Sequence, residues 1–309
     1  MSALWTEGVG LDVRIDKGEW VDAARAGRVV PYKIYRPEIL SDPSYPVVIW
    51  SHGLGGTRDG AGFIGRHLAA QGYIHIHIQH DGTDDSLWRG MPGHPWDNIR
   101  KATIPWETVR NRYLDVHFAL ASLDAMNAQD PFYKGKLDMT RMGMSGHSFG
   151  ALTTQIMAGQ PAGRGHYEDL SSDRFLSGIL YSPIPTFAHQ TGGADIYKDI
   201  KIPLLHMTGT HDQSPVENFG YERRIEVFAG AGHDTQHMFV INGGDHMVYN
   251  GSRGQLPSHG DIERHQELIA VIAHAWWDAT LKGDRFAYEW LYGDDAQNWL
   301  GSEGIYKRR

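Results

Sequence analysis

The sequence predicts an α/β protein with a mainly parallel central sheet and helices on both faces. Two observations carry that prediction. Short β-branched runs alternate with amphipathic helical stretches along the 309 residues. Runs such as PVVIWSHG (46–53) are also continuously apolar, as a strand covered on both faces must be.

The elements follow in order. VVPYKIYRP (29–37) reads as a strand stopped by Pro37, and PVVIWSHG as a buried strand bounded by Pro46 and Gly53. AGFIGRHLAAQG (61–72) sets Phe63, Ile64, His67 and Leu68 at helical spacing, with a glycine after its end. YIHIHIQH (73–80) is the next strand. A long helix over 106–127 carries Val109, Tyr113, Val116, Leu120 and Leu123 on one face. TRMGMS (140–145) is a strand, and FGALTTQIMAG (149–159) is the helix that leaves it. SGILYSP (177–183), IPLLHMTG (202–209) and HMFVINGG (237–244) are strands, the last of them closing the sheet. A final helix spans 262–283, with Trp276 and Trp277 packing it down. No repeat or low-complexity linker interrupts this series. The expectation is one domain over 1–309 with an insertion at about 82–106.

Composition narrows the function. The net charge is −8, and no basic run precedes the terminal KRR, which argues against a nucleic-acid partner or an anionic membrane surface. There are no cysteines, so disulfides, thiolate nucleophiles and cysteine metal sites are excluded. No apolar stretch approaches the roughly 20 residues of a membrane span. The N-terminal MSALWTEGVG lacks the basic and apolar regions of a signal peptide. A soluble, cytoplasmic protein is expected, with secretion after loss of a trimmed signal as the alternative. Oligomeric state is left open.

The most informative stretch is RMGMSGHSFGA (141–151). Within it Gly146, His147, Ser148, Phe149 and Gly150 form G-x-S-x-G between a strand and a helix, the context of a nucleophile elbow. Such a turn holds its serine in a strained backbone conformation, and the glycines let strand and helix approach closely. A serine attacking an ester carbonyl creates an oxyanion that needs preorganised N–H donors. One donor is expected from the backbone of Phe149. The other is expected from SHGLGGTRDG (51–60), where Leu54 is the first choice and Gly53 or Gly55 the fallback. With this elbow the chain order is serine, acid, histidine. Asp212, in THDQSPV, and His246, in DHMVY, each lie just past a strand end. Asp195, Asp234 and Asp245 are rival acids. Among the 18 histidines, His211, His233, His237 and His259 are the rivals considered.

These segments resemble α/β-hydrolase-fold serine esterases. SHGLGG and SGHSFGA are similar to the platelet-activating-factor acetylhydrolase group and to bacterial dienelactone-hydrolase-like proteins. TGTHDQSP and NGGDHMVY are similar to the acid and histidine segments of the latter. The resemblance runs from about VVPYKIYRP to the closing helix. It implies the α/β-hydrolase fold and carboxylic-ester hydrolysis through an acyl-enzyme, with no cofactor. Two departures matter. True dienelactone hydrolases use a cysteine nucleophile, which this chain lacks. Eukaryotic acetylhydrolases take their acid from an earlier strand end, which here reads LYSPIP without an aspartate. That favours Asp212, the position matching the bacterial proteins and the cutinase-like polyester hydrolases.

Two further stretches invite other readings. His75 and His77 share one face of a strand, followed by Asp81, Asp84 and Asp85. They are read as core and turn residues rather than as metal ligands. The segment 86–106 contains Trp88, Met91, Trp96 and Trp106. It is either a pocket wall contacting substrate through Trp88, Trp96 and Trp106, or a surface segment pinned by its tryptophans. NGSRGQLPSHGD (250–261) is a second rim loop of unknown role.

The expected function is a carboxylesterase-type serine hydrolase with a Ser148–His246–Asp212 triad, no metal, and a small-molecule or polymeric ester substrate. The alternatives are a polyester or lipid-ester hydrolase with an open cleft, and a catalytically silent hydrolase-fold binding protein.

Overall fold

The alternation read from the sequence becomes a nine-stranded sheet. The computed structural model describes residues 10–164, 166–185, 194–251 and 259–309. In chain order its strands are β1 (Val13–Asp22), β2 (Arg28–Pro37), β3 (Tyr45–Ser51), β4 (Ile74–Ile78), β5 (Leu137–His147), a small hairpin of β6 (Ala162–Arg164) and β7 (His166–Glu168), β8 (Ser177–Tyr181), β9 (Leu204–His211), β10 (Gln236–Asp245) and β11 (Gly304–Arg308). The large sheet has the order β1-β2-β4-β3-β5-β8-β9-β10-β11. Strands β4, β3, β5, β8, β9 and β10 run parallel, and β1, β2 and β11 close the two edges antiparallel. The helices are α1 (Gly62–Ala70), α2 (Pro95–Lys101), α3 (Trp106–Gln129), α4 (Phe149–Met157), α5 (Tyr221–Gly230), α6 (Ile262–Trp277), α7 (Arg285–Tyr292) and α8 (Asp295–Leu300).

Side-chain alternation along β3 shows how the two faces are filled. Val48 and Trp50 join a core with α1 and α6, while Val47 and Ile49 join a second core with α3. The face expected for α3 is the buried one: Tyr113, Val116, Leu120 and Leu123 are buried, and Val109 packs at the margin. In β4, Ile74, Ile76 and Ile78 join the α3 side. His75 and His77 project to the other face beside Trp50, and the Nδ1 of His75 lies 2.8 Å from the Nε2 of His77. They are thus core histidines. Among the described residues no cluster of three or more His, Cys, Asp or Glu could hold a metal ion.

Every element expected from the sequence is present, with ends moved by a few residues. The strand over 236–245 is not the last, because β11 pairs with it along the outer edge. Strand β1, helices α2, α5, α7 and α8, and the hairpin also go beyond that reading. The closing helix ends at Trp277, and one π-helical turn, Asp278–Lys282, continues it. No described helix is long and apolar enough to cross a membrane.

Trp277 has no solvent exposure, and its ring closes over Gly143 so tightly that a Cβ there would lie 2.4 Å from the ring. Trp277→Ala removes that contact and is expected to cost about 3–5 kcal/mol, measured as a fall in the urea midpoint with an unchanged m-value.

Candidate active site

Parallel strands bring their carboxyl ends to one edge, and a ligand site in such a sheet forms there. Ser148 follows β5 directly, Asp212 follows β9 and His246 follows β10. Three stretches far apart in the chain therefore reach the same rim.

The turn at Ser148 is as tight as its glycines predict. Ser148 has φ 56° and ψ −114°, a conformation that costs a non-glycine residue on the order of 1–3 kcal/mol. Its amide donates to the Tyr181 carbonyl at 2.9 Å, which anchors the turn to β8. A Cβ on Gly146 would lie 2.3 Å from the Gly150 carbonyl oxygen, and one on Gly150 would lie 1.8 Å from that of Ser51. Both glycines are needed so that α4 can pack against the end of β3. Ser148 occupies the N-cap position of α4 without a side-chain cap bond, and so stands at the positive end of that helix.

Asp212 has no solvent exposure, and four donors surround it. Its Oδ1 accepts from His246 Nδ1 at 2.7 Å and pairs with Arg224 Nε at 3.0 Å. Its Oδ2 accepts from Ser182 Oγ at 2.7 Å and Thr208 Oγ1 at 2.8 Å. Burial opposes ionisation, but Arg224, His246 and Ser182 outweigh it and hold the carboxyl well below its usual range. The His246 imidazole is pushed down by burial and by Arg224, against the pull of Asp212. His147, the residue before the serine, donates from Nε2 to the His246 carbonyl at 2.8 Å, and the two rings lie 4.6 Å apart. Burial drives the His147 pKa far down, so this ring stays neutral.

The loop after β3 lies against the serine: a Cβ on Gly53 would touch the Ser148 Cβ at 3.4 Å. The Gly55 amide donates to the Thr83 carbonyl at 2.9 Å and the Gly56 amide to Gly53 at 3.0 Å. Among the described residues the Leu54 amide has no hydrogen-bond acceptor, whereas the Gly55 amide is engaged. Phe149 is the first residue of α4, where helical geometry leaves the amide without an intrahelical partner.

A buried polar chain supports this loop. Arg112, with no solvent exposure, donates to Ser51 Oγ at 2.8 Å, Thr83 Oγ1 at 2.9 Å, Thr153 Oγ1 at 2.8 Å and the His52 carbonyl. Ser51 Oγ meets His80 Nε2 at 2.9 Å, and His80 Nδ1 meets Asp115 at 3.1 Å. Arg25 and Arg28 complete the Asp115 shell at 2.8 and 2.7 Å.

The tryptophans of the insertion have different surroundings. Trp88 donates from Nε1 to the Gly55 carbonyl at 2.7 Å, which ties the insertion to the loop after β3. Trp96 lies half-buried on α2, with its amide on His94. Trp106 opens α3 at 43% exposure, its ring 6.4 Å from Tyr113. Arg100 of α2 reaches the Pro215 carbonyl at 2.8 Å, so the insertion is also fastened to the loop after Asp212.

The rival residues have other partners. Asp245 accepts from the amides of Met247 and His259. His237 is buried, its Nδ1 2.6 Å from the Tyr306 hydroxyl, and His233 holds the Thr235 amide at the opposite end of β10. Asp234 is exposed at that same end. His211 and His259 stack edge-on at 5.0 Å. The side chain of Asp195 and residues 252–258 of the second rim loop lie outside the described residues. Sequence reasoning missed Ser182, Thr208, His147 and Arg224 as members of the site. Only Thr208, four residues before Asp212 on the same strand, had a spacing that could have suggested it.

Comparison with known proteins adds a likeness in sequence. Residues 30–88 match the family "Platelet-activating factor acetylhydrolase, isoform II", a stretch from β2 through the loop after β3 to Trp88. A platelet-activating factor acetylhydrolase of Cavia porcellus is 25% identical over 304 aligned positions, which cover 86% of this chain and 65% of the relative's length. The chain is similar to the acetylhydrolase group of serine esterases.

Asp115 generates an expectation for stability. Burial raises its pKa, but Arg28 and His80 bring it down to about 2, below the unfolded value near 3.9. Its contribution is therefore present above about pH 4 and lost as pH falls toward about 2. Asp115→Asn removes the carboxylate that Arg25 and Arg28 share and leaves them only Asp22 and the exposed Asp81, at a cost of about 1–3 kcal/mol at neutral pH. Urea denaturation from pH 7 to pH 2 should show that loss together with a shallower decline below about pH 4 than in the wild type.

Proposed function

We propose that the protein is a carboxylic-ester hydrolase of the α/β-hydrolase fold, acting through Ser148, His246 and Asp212 and an acyl-enzyme. One observation carries the reading. A serine at φ 56° on a G-x-S-x-G turn shares a rim with a buried imidazole whose Nδ1 is 2.7 Å from a fully buried carboxylate. A structural turn needs neither the strained serine nor the buried ion.

The chemistry follows from the hydrogen bonds. Asp212 accepts the Nδ1 proton of His246, which leaves Nε2 as the basic lone pair. His246 takes the Ser148 proton as the hydroxyl oxygen attacks the ester carbonyl carbon. The amides of Leu54 and Phe149 stabilise the oxyanion, a contribution of about 2.7–4 kcal/mol per donor. His246 then protonates the leaving alcohol. It next takes a proton from water as the water oxygen bonds to the acyl carbon, and gives that proton to the Ser148 oxygen as the acyl bond breaks and the acid leaves.

The relative's name denotes an enzyme that removes an acetyl group, which supports a short acyl ester here. The insertion favours the same choice over an open polymer cleft, because Trp88 and Arg100 brace it to loops on both sides of the rim.

Wild-type protein should be labelled by a fluorophosphonate probe and should hydrolyse p-nitrophenyl acetate faster than long-chain esters. Ser148→Ala should lose labelling, with kcat lower by about 10⁶-fold, and Asp212→Asn should lower kcat by about 10⁴-fold. Labelling retained in Ser148→Ala would refute the assignment of the nucleophile. No labelling and no turnover in the wild type would leave a binding protein.

A further inference from the structure

Arg224 is the charged group nearest the proposed triad that the mechanism above does not use. It has no solvent exposure, although it lies on a helix whose neighbouring Arg223 pairs with Glu226 nearer the surface. Its guanidinium reaches the carbonyls of Asp212 at 3.2 Å, Ser182 at 3.3 Å and Pro183 at 2.9 Å, and the Asp212 carboxylate at 3.0 Å. Its Nη2 also lies 3.1 Å from His246 Nδ1.

The last contact fixes the proton on His246. A guanidinium only donates, so Nδ1 could accept from Arg224 only as a bare lone pair. A bare lone pair would then face the Asp212 oxygen at 2.7 Å, two acceptors in contact with no hydrogen between them. Nδ1 therefore carries its proton toward Asp212. Arg224 Nη2 stands beside that N–H as a group of like sign. A second proton, at Nε2, would add a full positive charge to a ring already flanked by a cation.

We infer that Arg224 is a positioning residue of this site: by sharing Asp212 with His246 it keeps the imidazole a neutral base, ready to accept the serine proton. The inference rests on the triad reading. The other titratable groups around His246 do not duplicate this effect. His147 from β5 stays neutral, and Tyr249 and Tyr181, both buried, stay protonated because burial raises their pKa values. Asp245 is turned onto the amides of Met247 and His259.

The sign is definite. Without the cation, only burial still opposes Asp212, so imidazolium is better stabilised than in the wild type, the pKa of His246 rises and less of it is neutral near pH 6. The test measures kcat/KM for p-nitrophenyl acetate, and the rate of fluorophosphonate labelling at Ser148, from pH 5 to pH 9 in wild type, Arg224→Met and Arg224→Lys. The acidic limb should move up by about 1–2 units in Arg224→Met and stay at the wild-type position in Arg224→Lys. A merely structural arginine, strapping carbonyls together, would lower Tm and amplitude in both variants without moving the limb. An unmoved limb in a folded Arg224→Met protein overturns the inference. If that variant does not fold, an upward-shifted limb in Arg224→Lys, which keeps the charge, overturns it. A wild type inert to ester and probe would instead overturn the triad reading on which the inference depends.

Discussion

A carboxylate sealed from water is the constraint around which this rim is organised. Burying an unpaired ionised carboxyl costs many kcal/mol, so Asp212 can remain charged only if its surroundings supply the donors that water would have supplied. They come from four places: the end of β8, β9 itself, α5, and the turn after β10. The demand of one ion for complete satisfaction thus fixes the relative positions of three strand ends. His246 is one of the four donors, so satisfying the ion and orienting the imidazole are the same act.

Backbone strain is concentrated in the same place. Four described non-glycine residues have φ in the left-handed range, and two of them, Ser148 and Ser182, end neighbouring strands on this rim. Ser182 has φ 57°, its amide donates to the Met207 carbonyl at 2.8 Å, and its hydroxyl is aimed at Asp212. An extended residue there would carry the hydroxyl elsewhere. The strain at Ser148 lies in the turn between β5 and α4, whereas the strain at Ser182 supplies a donor to the buried ion. Both are held by hydrogen bonds to the adjoining strand.

The sequence disclosed the parts that obey local rules. Central strands were legible because burial on both faces makes them continuously apolar, and the elbow because close packing of α4 on β3 tolerates only glycine at positions 146 and 150. The edge strands were not legible. In VRIDKGEWVD, polar and apolar residues are mixed because an edge strand needs no second apolar face. Arg224 was the least legible of all. Helix α5, YERRIEVFAG, reads as a surface helix, and nothing local distinguishes Arg223 from Arg224. One faces outward to Glu226, while the other faces a carboxylate that only the tertiary fold brings near. Sequence patterns report what an element needs from its own neighbours. They are silent on a charge whose partner arrives from a different strand.

Two fully buried arginines make the point from opposite sides. Arg224 pairs with a carboxylate, so its charge is largely cancelled and its influence stays local. Among the described residues Arg112 hydrogen-bonds only neutral oxygens, and burial pulls its pKa down to about 9, still charged at neutral pH. Its guanidinium lies 4.5 Å from the Phe149 ring and is bonded to Ser51 and His52 at the start of the loop that bears Leu54. A cation left without a partner carboxylate favours negative charge nearby, and in a low-dielectric interior that preference extends over several ångströms. The positive end of α4 acts in the same direction. On the mechanism proposed above, the rim is therefore electrostatically divided. One side, around Asp212, holds a negative charge already neutralised, and the other, around Leu54 and Phe149, is where the proposed oxyanion would form.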